Sequence, residues 1–402
     1  MVIEKDYIDR DYLLDFQRFY VRSFAHIKKL TTRVHFFSNE MTPASFDELL
    51  KDNKLIDQQK SYLGFSIMRP IYDHEGNPRI GRTLLRTYPI RKDGNHKRFY
   101  ITEKNNVSLF GTPLTVESVP FQAQDRGVSA CATVALWTTL QSLTTEYKLK
   151  SYSPAEITEL ATAFPSQFRM FPQGGLTIGQ MINCVRSTGL DVEIINELND
   201  DIITTAIKAY TFAGIPIIAN LILSGFQDGE TKTDFHAVVI VGYQSDDNGN
   251  ITELYIHDDN VGPFKRVKPE NGHFTFWQNN DNDNVYVEYD TIRLLRFLIP
   301  IYHKVRLTFT YIYYHYLYRK QDVDLTKFNF ELLLTTVQKY KKDLADQKIK
   351  KKTKILCANM PRFLWIQRTS TREGLQRVQD DVFDGTAIEC KEPNFTIEYC
   401  KK

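Results

Sequence analysis

Ser129-Ala-Cys131-Ala-Thr-Val134-Ala-Leu136-Trp137-Thr-Thr-Leu140-Gln-Ser-Leu143 is the stretch on which the fold turns. Ser129 is a good N-cap, and Val134, Trp137 and Leu140, with Leu136 or Leu143, recur at helical spacing, so a helix over residues 130–144 should begin beside Cys131. Downstream, Ser153-Pro154 starts a second helix running to about residue 163, and a third spans 177–187 before Gly189. The period then switches. Residues 214–223, 236–243 and 253–258 read as successive strands, with Asp246-Asp-Asn-Gly-Asn250 as the turn between the last two. Helices first and antiparallel strands afterwards is an α+β order.

The flanks have a different texture. Residues 11–30 carry helical spacing, and 33–37, 64–71, 82–88 and 98–102 are short runs suited to strands, with a turn at 73–78. Arg69, Arg79, Arg82 and Arg86 cluster around that turn and read as a solvated basic face. Residues 302–319 are rich in tyrosine and 328–344 are amphipathic, which predicts one or two helices. The chain therefore divides into an N-terminal mixed unit (1–110), a central α+β unit (111–300) and a mainly helical C-terminal extension (301–402).

Composition narrows the function classes. A length of 402 residues allows two or three cores, and 42% hydrophobic and 25% charged residues are ordinary for a globular protein. The net charge of +2 supplies no field toward nucleic acid or anionic lipid, and the basic run 339–354 reads as a solvated helix end. Residues 1–10 lack the apolar run of about 7–15 residues of a secretory signal. The apolar stretches 215–223 and 237–241 fall short of the roughly 20 residues of a membrane span. Five irregularly spaced cysteines argue for a reducing compartment, so a cytoplasmic location is expected. Nucleotide, dinucleotide and zinc fingerprints are lacking from the sequence, and the paired acids Asp246-Asp247 and Asp380-Asp381 read as solvated.

Thiol hydrolases need a thiolate, a base, a group orienting the base and donors for an oxyanion. Cys131, in the first turn of a helix, would have unpaired backbone N–H groups and the helix dipole to favour its anion; alone, it reads first as a buried structural cysteine. His236 is expected at the mouth of an apolar strand, ordered by the sheet yet able to reach a cleft. The next strand ends 22 residues later in Asp258-Asp-Asn260, and Leu254, Ile256 and Asp258 share one face while His257 lies on the other, which favours Asp258 as the orienting residue. A one-residue change of register would bring in Asp259 or Asn260. Upstream, Gln124 could supply an oxyanion donor beside the Cys131 backbone N–H, with Gln122 as the alternative.

These elements together (a glutamine ahead of a cysteine at a helix start, His236-Ala-Val-Val-Ile-Val-Gly-Tyr243, then a strand ending in Asp) resemble the papain-like cysteine peptidase superfamily. The closest resemblance is to the bacterial double-glycine leader peptidase type, in which a Gln-x-Asp segment precedes the cysteine and an Asp-Pro-x-x-Gly turn carries the acid. Asp258-Asp-Asn-Val-Gly262 fits that turn without its proline; Gly175-Leu-Thr-Ile, Gly189-Leu-Asp-Val and Phe274-Thr-Phe-Trp277 are similar to further parts of it. Cys131-Ala132 stands where the family has Cys-Gly, and Gln124 lies seven positions before the cysteine rather than six. The likeness covers residues 111–300. It implies a papain-like core, a helical half followed by an antiparallel sheet, and a peptide or protein substrate cleaved by Cys131, His236, Asp258 and Gln124 without metal or cofactor. The same residues would serve a thiol acyltransferase or deamidase, and an inactive papain-like module binding a peptide or protein is the alternative from another class.

Overall fold

Alternating side chains build the first sheet. The computed structural model describes residues 1–400 except 74–75, 91–96, 126–129, 166–174, 228–229, 270–272, 275–285 and 287–288. Its chain opens with β1 (Val2–Tyr7), α1 (Arg10–Arg18), β2 (Thr31–Phe37), α2 (Pro43–Lys51), β3 (Tyr62–Tyr72) and β4 (Pro78–Leu85). The four strands form an antiparallel sheet in sequence order. β5 (Lys97–Tyr100) leaves for another sheet, whereas the hairpin β6 (Glu103–Leu109) and β7 (Thr112–Ser118) covers the first sheet, burying Val107, Leu109, Leu114 and Val116 against Tyr62, Phe65, Ile67 and Leu84. The helix expected over 11–30 stops at Arg18, followed by one 3-10 turn at Tyr20–Arg22. Beyond Arg18, Tyr20 and Ile27 still pack with Tyr12 and Ala155, while Phe24 stands in solvent.

The central layer begins with α3 (Cys131–Ser142), α4 (Thr144–Tyr147), α5 (Pro154–Thr162) and α6 (Ile178–Ser187). Ser153 and Thr177 close capping boxes with Glu156 and Gln180, which fixes the starts of α5 and α6 where the sequence places them. Next come β8 (Leu190–Ile195), α7 (Asp200–Ala213), β9 (Ile217–Gln227), β10 (Glu230–Ser245), β11 (Ile251–Asp258), β12 (Gly262–Val267) and β13 (Thr291–Tyr302). The sheet order is β12-β11-β10-β9-β13-β8, and β5 pairs with the far end of β10. That pairing explains Gly242: a Cβ there would lie 2.3 Å from the Phe99 carbonyl oxygen. Mixed α/β architecture with antiparallel sheets accords with the expected α+β class. Of the aromatic run 274–277 only Phe274 is described, and β13, which carries no such motif, is paired between β9 and β8.

The C-terminal stretch carries the helix expected in its tyrosine-rich run, but the start of the amphipathic run, 328–336, is a strand. After α8 (Phe309–Lys320) comes β14 (Phe328–Thr336), then α9 (Val337–Ala345), α10 (Lys352–Cys357), β15 (Phe363–Thr371), β16 (Arg377–Asp384) and β17 (Phe395–Glu398), the strands forming a fourth sheet in that order. The run Leu332-Leu333-Leu334 is buried on both faces: Leu332 and Leu334 enter the central core with Phe363, Trp365 and Phe383, while Leu333 packs under α9 with Leu364 and Ile366. Two-sided burial erases the alternation that separates strand from helix in a short apolar run. Two further expectations fail for a shared reason, burial with a partner distant in sequence. Asp380 is wholly buried, accepts from Arg368 Nε and Nη2 at 2.8 and 2.7 Å, and also accepts from the Tyr340 and Tyr399 hydroxyls. Asp381 is buried against Arg319, and Arg69 lies inside rather than on a solvated face. Among the described residues no helix is long and apolar enough to cross a membrane.

Truncating Asp380 leaves the Arg368 guanidinium buried without its carboxylate, so Asp380→Ala should cost about 3–5 kcal/mol in urea denaturation. A loss under about 1 kcal/mol would place the pair in the weak class of exposed ion pairs.

Candidate active site

Cys131 is the first residue of α3 and its one partly exposed residue; every later residue of that helix is buried. The helix is buried all round because it lies between the β9–β10 face of the sheet and helices α5 and α6, so only its N-terminal end reaches a surface. Ala130, not Ser129, occupies the N-cap position, and its side chain makes no capping bond; Ser129 lies outside the described residues. The first-turn N–H groups thus have no side-chain acceptor at the cap.

His236 is the seventh residue of β10 rather than its first, since the β9–β10 ladder runs on from Glu230. Continuing the register Val239↔His257 by one step sets Asp258 opposite Val238, on the face that His236 shares. The side chains meet there: His236 Nε2 lies 3.1 Å from Asp258 Oδ1. The third hydrogen-bonding partner is Tyr286, whose hydroxyl is 2.8 Å from Nε2 and 2.9 Å from both Asp258 oxygens. Those contacts use Nε2; Cys131 also interacts with the ring and favours its charged form. The Asn260 backbone N–H donates to Asp258 Oδ1 at 3.1 Å.

The electrostatics follow from burial and this pairing. Burial alone would drive His236 toward the neutral form, but the Asp258 charge and hydrogen bond, with a contribution from Cys131, hold its pKa well above the usual imidazole range. Burial opposes ionisation of Asp258 as well, and His236, the Asn260 N–H and Tyr286 overcome it, so that carboxyl stays below its usual value. Asp259 behaves differently. Burial pushes it up to about 7, its Oδ1 sits 3.8 Å from His236 Nε2, and its Oδ2 has no partner among the described residues. His257 points to the opposite face, edge-on to Phe121 and Phe264, where burial lowers its pKa to about 3.

Gln124 and Gln122 lie on a segment held by the N-terminal sheet. Thr83 and Phe121 exchange backbone hydrogen bonds at 2.7 and 3.0 Å, the Ala123 N–H donates to the Ile80 carbonyl at 3.0 Å, and Arg69 Nη2 donates to the Ala123 carbonyl at 2.7 Å. The Asp125 carboxylate accepts from Tyr20 at 2.5 Å and faces Arg69 Nη1 at 3.4 Å. Gln124 reaches the acid end of the cluster by donating from Nε2 to Asn260 Oδ1 at 2.6 Å. Gln122 is buried, and its amide nitrogen has no partner among the described residues. Cys131, His236, Asp258 and, through Asn260, Gln124 are thus brought together, with Asp259 at the edge. Tyr286 was missed: it follows an Asn/Asp-rich polar tract that gives no periodic or motif signal. The Arg69–Asp125 contact was also illegible, its partners being 56 residues apart.

Among the described residues, His236, Asp258 and Asp259 are grouped closely enough to hold a metal ion, their ligand atoms lying within 4.8 Å of one another. The Tyr286 hydroxyl sits at hydrogen-bond distance from Nε2 and both Asp258 oxygens, in the space a shared ion would take, so these residues fit a hydrogen-bonded network better than a coordination sphere.

No family model matches this chain, and no curated protein matches it. Among solved structures it is similar to the peptidase domain of Streptococcus ComA, described as a bi-functional ABC transporter involved in a quorum sensing pathway. Identity is 18%, the match covers 42% of this chain and 90% of that one, and the TM-score is 0.21. A score of that size settles neither fold nor activity.

A raised folded-state pKa at His236 means its stabilisation is complete below about pH 6.5 and is lost as pH rises through the folded value. Asp258, lowered, contributes stability above about pH 3.9 that is lost as pH falls through its own folded value. In an NMR titration His236 should remain protonated at pH 7, and in Asp258→Asn, where burial is opposed only by Cys131 and Asp259, it should titrate well below its wild-type value. Titration near 6.5 in both proteins would contradict the pairing.

Proposed function

We propose that this protein is a cysteine hydrolase with a papain-like core over residues 111–300, cleaving a peptide or isopeptide bond with Cys131 as nucleophile. The observation that carries the reading is a buried imidazole held at Nε2 by Asp258 and Tyr286, with Cys131, the partly exposed first residue of α3, favouring its charged form. That is the order of contacts a thiol, its base and the orienting carboxylate require.

In this scheme the Cys131 proton already rests on His236, and the thiolate attacks the carbonyl carbon, forming the C–S bond and placing charge on oxygen. The Cys131 backbone N–H, at a helix start with no side-chain cap, is one donor to that oxygen. Gln124 is the proposed second donor, with one amide hydrogen on Asn260 and the other free; Gln122, whose buried amide is unpartnered, competes for the role. Collapse breaks the C–N bond while His236 returns its proton to the leaving amine. Water, deprotonated by His236, then cleaves the thioester, and the cysteine thiol is restored. An amine in place of water would make the same site a transferase. Asp258 holds the ring and its charge throughout. The regions 1–110 and 301–402 are proposed as flanking units, the first supporting the Gln122–Asp125 segment through the contacts from Thr83, Arg69 and Tyr20.

Iodoacetamide at neutral pH should label Cys131 ahead of the other four cysteines, and His236→Ala should abolish that preference, as read by peptide mass spectrometry. Slow, equal labelling of all five would reassign the chain as a peptide- or protein-binding module. For the oxyanion, turnover of an activated ester such as p-nitrophenyl acetate should fall about 10²–10³-fold in Gln124→Ala. The same loss in Gln122→Ala, with Gln124→Ala unaffected, would transfer the role to Gln122.

A further inference from the structure

The proposed triad is not a bare cysteine, histidine and aspartate, because a phenol stands inside its acid end. Tyr286 is buried, its ring centroid 5.6 Å from that of His236 at 55°. A tyrosine hydroxyl has one proton to donate and two lone pairs to accept with. Ionised Asp258 can only accept, so the Tyr286 proton goes to Asp258, 2.9 Å away at either oxygen. The oxygen is then left to accept from His236 Nε2–H at 2.8 Å and from Asn260 Nδ2–H at 3.3 Å. Every valence of the hydroxyl is used within the cluster. The route from Nε2 to the carboxylate through this oxygen has shorter links, 2.8 and 2.9 Å, than the direct contact at 3.1 Å.

We propose that Tyr286 is a positioning residue whose hydroxyl relays the His236–Asp258 contact and so fixes the imidazole with Nδ1 toward Cys131. This rests on the reading of Cys131 and His236 as nucleophile and base. The phenol suits the task because its position is set by two torsions and a buried ring, so the oxygen is held where a water would have to be ordered. Without it, the Nε2–H keeps only the longer bond and the ring gains freedom to turn away from the sulfur. Tyr286 touches neither substrate nor the attacking atom, so its loss should appear in turnover and not in substrate binding.

The test is Tyr286→Phe, which removes the oxygen and keeps the ring. With p-nitrophenyl acetate the variant should lose about 10- to 100-fold in kcat with KM within about twofold. In parallel, the NMR resonance of the His236 Nε2–H should shift, and the thermal midpoint should stay within a few degrees. Asn260→Ala, which strips the same oxygen of its other side-chain donor, should give a smaller loss of the same sign and serves if the phenylalanine variant does not fold. Wild-type kcat together with an unmoved His236 resonance in Tyr286→Phe overturns the proposal. If the resonance shifts but the wild-type protein shows no Cys131-dependent turnover, the hydrolase reading is what has failed, and the catalytic meaning of the relay falls with it while the contact itself stands.

Discussion

An imidazole and a carboxylate buried together between β10 and β11 are the constraint around which the central layer is organised. Two charges removed from water cost several kcal/mol each, and their attraction repays this only when the remaining lone pairs and protons are satisfied. Here the Asn260 N–H and the Tyr286 hydroxyl complete the shell of Asp258, while His236 shares itself between that carboxylate and Cys131. The pair is poorly explained as a stability device, since an apolar pair of similar volume would serve the core as well. Its value lies in direction: the carboxylate holds Nε2 and so fixes the ring, which in the proposed scheme turns its other nitrogen to Cys131, the only partly exposed residue of α3.

The flanking sheets act on the same place from outside. β4 receives Phe121 and Ala123 as an added edge, and Arg69, turned inward, ties down the Ala123 carbonyl and Asp125. From the same side, Asp11 accepts from Trp137 on α3 and Asp15 accepts from the Ala155 N–H at the start of α5. On the far side the C-terminal sheet shares its Leu332, Leu334 and Trp365 face with the central core, and the Trp365 indole donates to the Leu307 carbonyl. The N-terminal unit thus ties down α3 and α5, while the C-terminal sheet packs on α7.

The sequence made much of this legible, and what it hid has a physical cause in each case. Capping boxes at Ser153 and Thr177, the Asp246–Asn250 turn and the apolar strands are local, so they can be read without the fold. Cys131, His236 and Asp258 could be paired because strand alternation leaves one choice of face once the register is fixed. Tyr286 could not, because it reaches Asp258 from 28 residues away along a tract without periodicity. The strand at β14, the buried Asp380 and the inward Arg69 were misread for a related reason: their surroundings come from segments remote in sequence, and composition alone assigns a charged residue to the surface. The length of β10 was underestimated because its first six residues, Glu230 to Phe235, carry little of the apolar pattern while still pairing with β9.

The central claim is that His236 and Asp258 act on Cys131 as one unit, and a double-mutant cycle measures that directly. Rate constants for alkylation of Cys131 by iodoacetamide would be compared in the wild type, His236→Ala, Asp258→Asn and the double variant. If the carboxylate works only through the imidazole, the double variant reacts no more slowly than His236→Ala alone, and the two losses are strongly non-additive. Fully additive losses, or an Asp258→Asn rate equal to that of the wild type, would contradict the account.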